Sequence, residues 1–238
     1  MEAFTVTAAD GRALETVVAG AVEGPLVVLH HGTPGSAHAI YPPHAEKAAT
    51  RGIRLALYGR PGYADSERAE GRTVGDCAAD TAAVADALGA EDFFTIGGSG
   101  GGPHALACAA LLPERVAGAA TIAGVAPTYA EDLDWLAGMG EENLEEFAAA
   151  GIRDSLRTGI WGWFDDDLAL LGDWGFDLDA IATPVTIWQG REDRFVPPAH
   201  GEWLAANVAG ARAHLLDGHG HLSLAIASFG DILDELVG

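Results

Sequence analysis

The sequence predicts an α/β fold. Its mostly parallel sheet carries helices on both faces, with an antiparallel hairpin in front and a short helical insertion past the middle of the chain. Three observations carry this expectation. Short, unbroken apolar runs recur along the 238 residues, as suits strands buried on both faces. Segments with apolar residues at helical spacing lie between those runs, and strand–helix alternation of this kind calls for right-handed crossovers and a parallel sheet. The first two strand candidates alternate apolar and polar residues instead, and an Asp10-Gly11 turn separates them, a strong hairpin signal.

In chain order, the hairpin strands are Phe4–Thr7 and Leu14–Val18. The buried strands follow at Leu26–Leu29, Leu55–Leu57, Phe93–Ile96, Val185–Trp188 and Ala213–Leu216, with a fainter one at Val116–Ile122. Helical spacing marks Ala45–Arg51, Val74–Leu88, His104–Leu112, Trp203–Val208 and Leu222–Val237. From Pro127 to about Ala182 no strand candidate occurs, and four of the six tryptophans fall there (Trp135, Trp161, Trp163, Trp174). Glu141–Phe147 starts one helix in this region and Phe164–Leu168 starts another. The expected organisation is a core of residues 1–126 and 183–238, with residues 127–182 as a helical cap.

Composition narrows the function classes. The chain carries 35 acidic residues against 13 basic ones, for a formal net charge of −22. Such a charge repels phosphate backbones and anionic lipid, so neither nucleic acid nor a membrane is expected as a partner. The start MEAFTVTAADGR lacks the basic and apolar regions of a signal peptide, and no run of eighteen apolar residues occurs. The expectation is a cytoplasmic protein, monomeric or homodimeric, acting on a small molecule. Cys77 and Cys108 sit in Ala-rich helical stretches without a C-x-x-C pair, and are expected to be small buried thiols.

Ligands of an open parallel sheet bind at the carboxyl ends of its strands. The residues after each apolar run are therefore the candidates: His30–Ser36, Tyr58–Tyr63, Gly97–Gly102, Gln189–Arg194 and Asp217–His221. Gly97-Gly98-Ser99-Gly100-Gly101 satisfies G-x-S-x-G. In a chain with 32 glycines the match alone is weak, but it lies between an apolar strand and a helix, the setting a nucleophile elbow requires. Pro103 falls in the first helical turn, where a missing N–H costs least. A Gly-rich anion cradle is the competing reading, and it lacks the G-K-[ST] ending and any nearby lysine; Lys47 is the chain's only one.

A serine hydroxyl needs a base to accept its proton, and the base needs a partner to fix its tautomer. The order for this elbow is Ser, acid, His. Asp193 is the expected acid, with Glu192 its close rival. His221 is preferred over His219 as the base, because an apolar helix follows it at once. A metal reading of Asp217, His219 and His221 lacks a second ligand cluster, so no metal and no cofactor is expected. His30 and His31 are read as scaffolding of their loop. His38, His44, His104, His200 and His214 are read as surface or helix-cap residues.

With these residues in hand, the chain resembles the α/β-hydrolase superfamily from end to end. It is most similar to bacterial serine hydrolases described as prolyl-iminopeptidase-like or haloperoxidase-like. H-G-T-P-G-S stands at His31–Ser36, R-P-G-Y at Arg60–Tyr63 and S-G-G-G-P-H-A-L at Ser99–Leu106. The terminal G-H-hydrophobic motif falls on Gly220-His221-Leu222, and G-x-x-D on Gly190 to Asp193. The resemblance implies an oxyanion hole from the backbone N–H groups of Gly100 and Thr33. It implies cleavage of an ester-type bond (carboxylic ester, thioester or amide) through a Ser99-His221-Asp193 triad and an acyl-enzyme. An aminopeptidase or C–C bond hydrolase with the same triad stays open, as does a non-catalytic small-ligand binding or sensor protein. Two departures stand out: Gly59 where relatives usually have Asp, and Gly98 where they often place a bulky aromatic. Gly98, Trp135, Trp161 and Trp163 are the expected substrate-binding residues, with the Trp-rich insertion roofing an acyl pocket.

Overall fold

The computed structural model describes residues 1–140 and 157–238. Strands β1 (Glu2–Thr7) and β2 (Ala13–Gly20) pair antiparallel, with Val6 opposite Leu14. Gly11 closes their turn at φ 92°, a conformation that side chains resist. The remaining strands are β3 (Leu26–His30), β4 (Arg54–Tyr58), β5 (Phe93–Gly98), β6 (Val116–Ile122), β7 (Val185–Gly190) and β8 (Arg212–Leu216). β2 pairs antiparallel with β4, and every later pairing is parallel, which gives one eight-stranded sheet in the order β1-β2-β4-β3-β5-β6-β7-β8. The expected strands all form, each within two residues of its predicted ends.

The described helices are α1 (Pro42–Thr50), α2 (Cys77–Ala87), α3 (Gly102–Leu111), α4 (Trp161–Leu171), α5 (Pro198–Asn207) and α6 (His221–Val237). They divide between the two faces. One core gathers Leu26, Val28, Ala56 and Tyr58 from the strands with Val84, Leu106 and Leu204 from α2, α3 and α5. The other gathers Val27, Leu55, Leu57 and Ile96 with Ala48 of α1 and Leu224, Phe229 and Ile232 of α6. Successive residues of one strand thus enter opposite cores, which is why these strands read as continuous apolar runs. Cys77 and Cys108 are free, buried thiols on α2 and α3.

Strand order positions the site. The chain passes from β3 through α1 to β4, then crosses back so that β5 pairs with the other side of β3. The loops after β3 and β5 therefore part at a switch point of the sheet, where a crevice forms. Between β6 and β7 the described residues contain no strand, as the sequence predicts, and α4 begins three residues before the expected Phe164. The helix expected to start at Glu141–Phe147 lies outside the described residues. Trp174 is fully buried; its carbonyl accepts from Gly75 N–H, 2.7 Å. Among the described residues no helix is long and apolar enough to cross a membrane.

Candidate active site

Ser99 stands at the carboxyl end of β5 with φ 52°, one of four described non-glycine residues with positive φ. That left-handed conformation costs an L-residue on the order of 1–2 kcal/mol. The chain holds it because β5 runs straight through a single 3₁₀ turn, Ser99–Gly101, into α3. The turn is so tight that a Cβ on Gly97 would strike the Gly101 carbonyl oxygen and stand 2.5 Å from its carbon. The glycines are thus a steric condition of the turn. Ser99 also lies beside the loop after β3, since a Cβ on Gly32 would lie 3.5 Å from Ser99 Cβ.

Asp193 follows β7 and His221 opens α6 after β8, so both leave the sheet at the same edge as Ser99. His221 Nδ1 lies 2.8 Å from Asp193 Oδ2. Asp193 is buried, and its Oδ1 accepts from the backbone N–H groups of Phe195 (2.8 Å) and Val196 (2.9 Å). Gln189 Nε2 donates to Oδ2 at 3.4 Å. A carboxylate so surrounded has one fixed direction left for the imidazole, which puts the proton on Nδ1 and leaves Nε2 as the acceptor. Phe195 packs its ring at 5.3 Å from that of His221. Among the described residues no hydrogen bond joins Ser99 to His221, although a free active site often holds that link open. Glu192, the rival acid, turns away: its Oε2 accepts from His219 N–H at 2.9 Å.

The two expected oxyanion donors are neighbours. A Cβ on Gly100 would stand 2.8 Å from Thr33 Cβ and 3.2 Å from Thr33 N. Gly98 behaves differently from the other glycines of its turn, because a Cβ there meets nothing within 4 Å. Trp135 donates its indole N–H to the Ala126 carbonyl at 2.7 Å and sets its ring edge-on to His200. Trp161, half exposed, lies 4.3 Å from the Arg68 guanidinium. Trp163 is exposed on the same helix. Among the described residues no ring contact links these three indoles to His221.

Two histidines differ from expectation. His104 and His200 are neither surface nor cap residues but fully buried. His104 Nδ1 lies 2.9 Å from the Gly100 carbonyl one helical turn back, which secures the elbow from behind. His200 accepts the Ala126 N–H on Nδ1 and places Nε2 2.9 Å from the Trp135 carbonyl. Both titrate below the ordinary histidine range because burial penalises the charged ring. His31 does the same, by burial and by the Arg60 charge beside it. It accepts the Arg60 N–H on Nε2 (3.1 Å), so its Nδ1–H donates to the Gly32 carbonyl (2.7 Å).

Sequence reasoning missed Asp166 altogether. This residue of α4 is completely buried, and its carboxylate accepts from Arg60, Arg72, Tyr63 Oη (2.8 Å) and Thr33 Oγ1 (2.9 Å). Burial alone would raise its pKa, but the two guanidinium groups outweigh that and hold the carboxyl well below the usual carboxylate range. Among the described residues no cluster of three or more His, Cys, Asp or Glu could hold a metal ion.

Comparison with known proteins agrees with this architecture. Residues 25–158 match the family described as alpha/beta hydrolase fold. The chain is 28% identical over 230 residues to a 2-hydroxy-6-oxononadienedioate/2-hydroxy-6-oxononatrienedioate hydrolase of Paraburkholderia xenovorans, covering 82% of this chain and 80% of the relative. It is 29% identical to a non-heme chloroperoxidase of Streptomyces lividans, covering 88% of this chain and 70% of the relative. In three dimensions it superposes on the enol-lactonase of Burkholderia xenovorans with a TM-score of 0.77 over 99% of this chain and all of the other, at 21% identity. The last likeness speaks for the fold alone. The family match spans more than half of the chain and begins at the strand that precedes the H-G-T-P-G-S loop. The chain therefore belongs to the alpha/beta hydrolase fold family.

Proposed function

We propose that this protein is a serine hydrolase that cleaves an ester-type bond of a small molecule through an acyl-enzyme on Ser99. The observation that carries the reading is a left-handed serine at the end of β5 together with an Asp193–His221 pair at the same sheet edge. Ser99 Oγ attacks the carbonyl carbon while His221 Nε2 takes its proton. Asp193 keeps the other proton on Nδ1 and steadies the imidazolium. The N–H groups of Gly100 and Thr33 receive the oxyanion, one such donor being worth about 3 kcal/mol. His221 then returns the proton to the leaving group, and water, activated by the same base, releases the acyl group.

Residues 127–182 serve as a cap over this site. In support, α4 reaches the H-G-T loop through its Asp166–Thr33 hydrogen bond. Trp135, Trp161 and Trp163 supply the apolar surface a substrate meets there, and the open space beside Gly98 takes part of the acyl group. The test is a fluorophosphonate probe with the adduct located by mass spectrometry. Ser99 is labelled and Ser99→Ala is not; folded protein without a Ser99 adduct overturns the reading and favours a binding or sensor role.

A second reading, cleavage of a C–C bond with the same triad, gains support from relatives named 2-hydroxy-6-oxononadienedioate/2-hydroxy-6-oxononatrienedioate hydrolase and 2-hydroxy-6-oxo-6-phenylhexa-2,4-dienoate hydrolase. Turnover of p-nitrophenyl esters, aminoacyl anilides and a 2-hydroxy-6-oxo-dienoate, compared side by side on Ser99-titrated enzyme, separates esterase, peptidase and C–C hydrolase.

A further inference from the structure

The Thr33 N–H belongs to the peptide whose carbonyl is Gly32 O. A trans peptide is planar, so whatever fixes the carbonyl direction also fixes the N–H, which points the opposite way. Two donors hold the Gly32 carbonyl: His31 Nδ1 at 2.7 Å and Arg60 Nη2 at 3.1 Å. Arg60 also donates to the His31 carbonyl at 2.5 Å and to Thr33 Oγ1 at 3.1 Å. One guanidinium thus grips three successive residues of the loop. Donors on the Gly32 carbonyl also polarise its peptide and strengthen the N–H as a donor.

The guanidinium would swing if nothing fixed its own plane. Asp166 does so: Arg60 Nε lies 3.1 Å from both carboxylate oxygens and Nη2 lies 2.5 Å from Oδ2. The same Oδ2 accepts the Thr33 hydroxyl. A threonine has few χ1 choices, so a fixed Oγ1 fixes the side chain that packs against Gly100. Arg72 completes the cluster by donating to Oδ1. Two permanent cations thus share one carboxylate in a region closed to solvent.

We propose that Asp166 is a positioning residue for the oxyanion hole: through Arg60 and the Thr33 hydroxyl it aims the Thr33 N–H, so that helix α4 of the insertion completes a site otherwise built on the sheet. The proposal rests on the serine-hydrolase reading above. It makes α4 part of the catalytic geometry and not only a roof.

The test compares Asp166→Asn, Thr33→Val and Thr33→Ser with the parent, each normalised by fluorophosphonate titration of Ser99, on a p-nitrophenyl ester. Asp166→Asn weakens the hold on Arg60, and kcat falls about tenfold to a hundredfold with KM within twofold. Affinity for an arylboronic acid, which forms a tetrahedral adduct on the serine, falls by the same factor. Thr33→Val keeps the branched shape and the backbone N–H but loses the hydroxyl, and shows the same split. Thr33→Ser recovers most of the lost turnover. Should Asp166→Asn fail to fold, the Val and Ser pair decides. A kcat per titrated site within twofold of the parent in Thr33→Val, or unchanged boronate affinity in either of the first two variants, overturns the proposal. A parent protein that takes no adduct on Ser99 overturns both readings, whereas an adduct with unaltered variants overturns this one alone.

Discussion

Replacing Gly98 by Phe narrows the acyl preference of the site without loosening the fold. Gly98 has φ −97° and ψ 137°, extended backbone that any residue adopts. A Cβ there meets nothing within 4 Å, so a side chain enters the position without striking packed atoms at its root. The stability change is therefore within about 0.5 kcal/mol. The ring then occupies space that a long acyl chain would enter. Four displaced methylenes, at about 0.8 kcal/mol each, amount to about 3 kcal/mol, or roughly a hundredfold in kcat/KM. An acetyl group does not reach so far and stays within about threefold of the parent. The assay is kcat/KM for p-nitrophenyl acetate and octanoate, with Tm measured on the same preparations. An octanoate-to-acetate ratio unchanged in Gly98→Phe at unchanged Tm refutes the assignment of that space to substrate. Gly97→Ala is the opposing control. Its Cβ stands 2.5 Å from Gly101 C and 2.8 Å from Gly102 N, backbone atoms that cannot step aside, so it lowers Tm sharply.

Asp193→Asn keeps the side-chain shape but loses the charge that orients His221 Nδ1, and kcat falls on the order of a thousandfold or more while the fold persists; a fall below tenfold transfers the acid role elsewhere. Gly100→Ala drives a methyl into Thr33 Oγ1 and sets it 2.8 Å from Thr33 Cβ, which pushes the two proposed oxyanion donors apart, so kcat per titrated Ser99 falls at least about tenfold and Tm falls with it. Acid weakens the fold through its buried histidines. His31, His104 and His200 titrate below the ordinary range, and burial lowers His44, stacked on Phe229, to about 4. Below the unfolded pKa of about 6.5 the unfolded chain binds protons that the folded one refuses. Their contribution is thus complete above about pH 6.5 and is lost as pH falls, for His44 down to about pH 4. Urea midpoints at pH 8 and pH 5 measure the loss. His44→Phe, which preserves the stack on Phe229, reduces the difference; an equal difference in that variant excludes His44 from it.

What the sequence disclosed and what it withheld follow from how far apart the interacting residues lie. The central strands were legible because they bury both faces, so Val27 and Val28 are both apolar although they enter different cores. The elbow was legible because its requirements are local: an extended strand, glycines where backbone meets backbone, a proline in the first turn of α3. Asp193 belongs to the same class, since it binds N–H groups only two and three residues onward, a short-range pattern typical of aspartate in turns. His104 and His200 were misjudged because their partners, the Gly100, Ala126 and Trp135 backbone groups, carry no side-chain signature. Asp166 is the extreme case. It stands in the run Phe164–Leu168, which the sequence marks only as the start of a helix. The helical turn sends the neighbours Asp165 and Asp166 in different directions: both are buried, but Asp165 pairs with Arg68 whereas Asp166 meets Arg60 and Arg72. Its partners Arg72, Arg60 and Thr33 lie 94, 106 and 133 residues away in sequence. Burying a carboxylate is tolerable only where cations and donors already wait, and that condition is set by tertiary packing. Once the fold is known, the R-P-G-Y segment also acquires a physical reason: Arg60 and Tyr63 supply three of the donors that Asp166 needs, and Arg60 spends its remaining ones on the loop that carries Thr33.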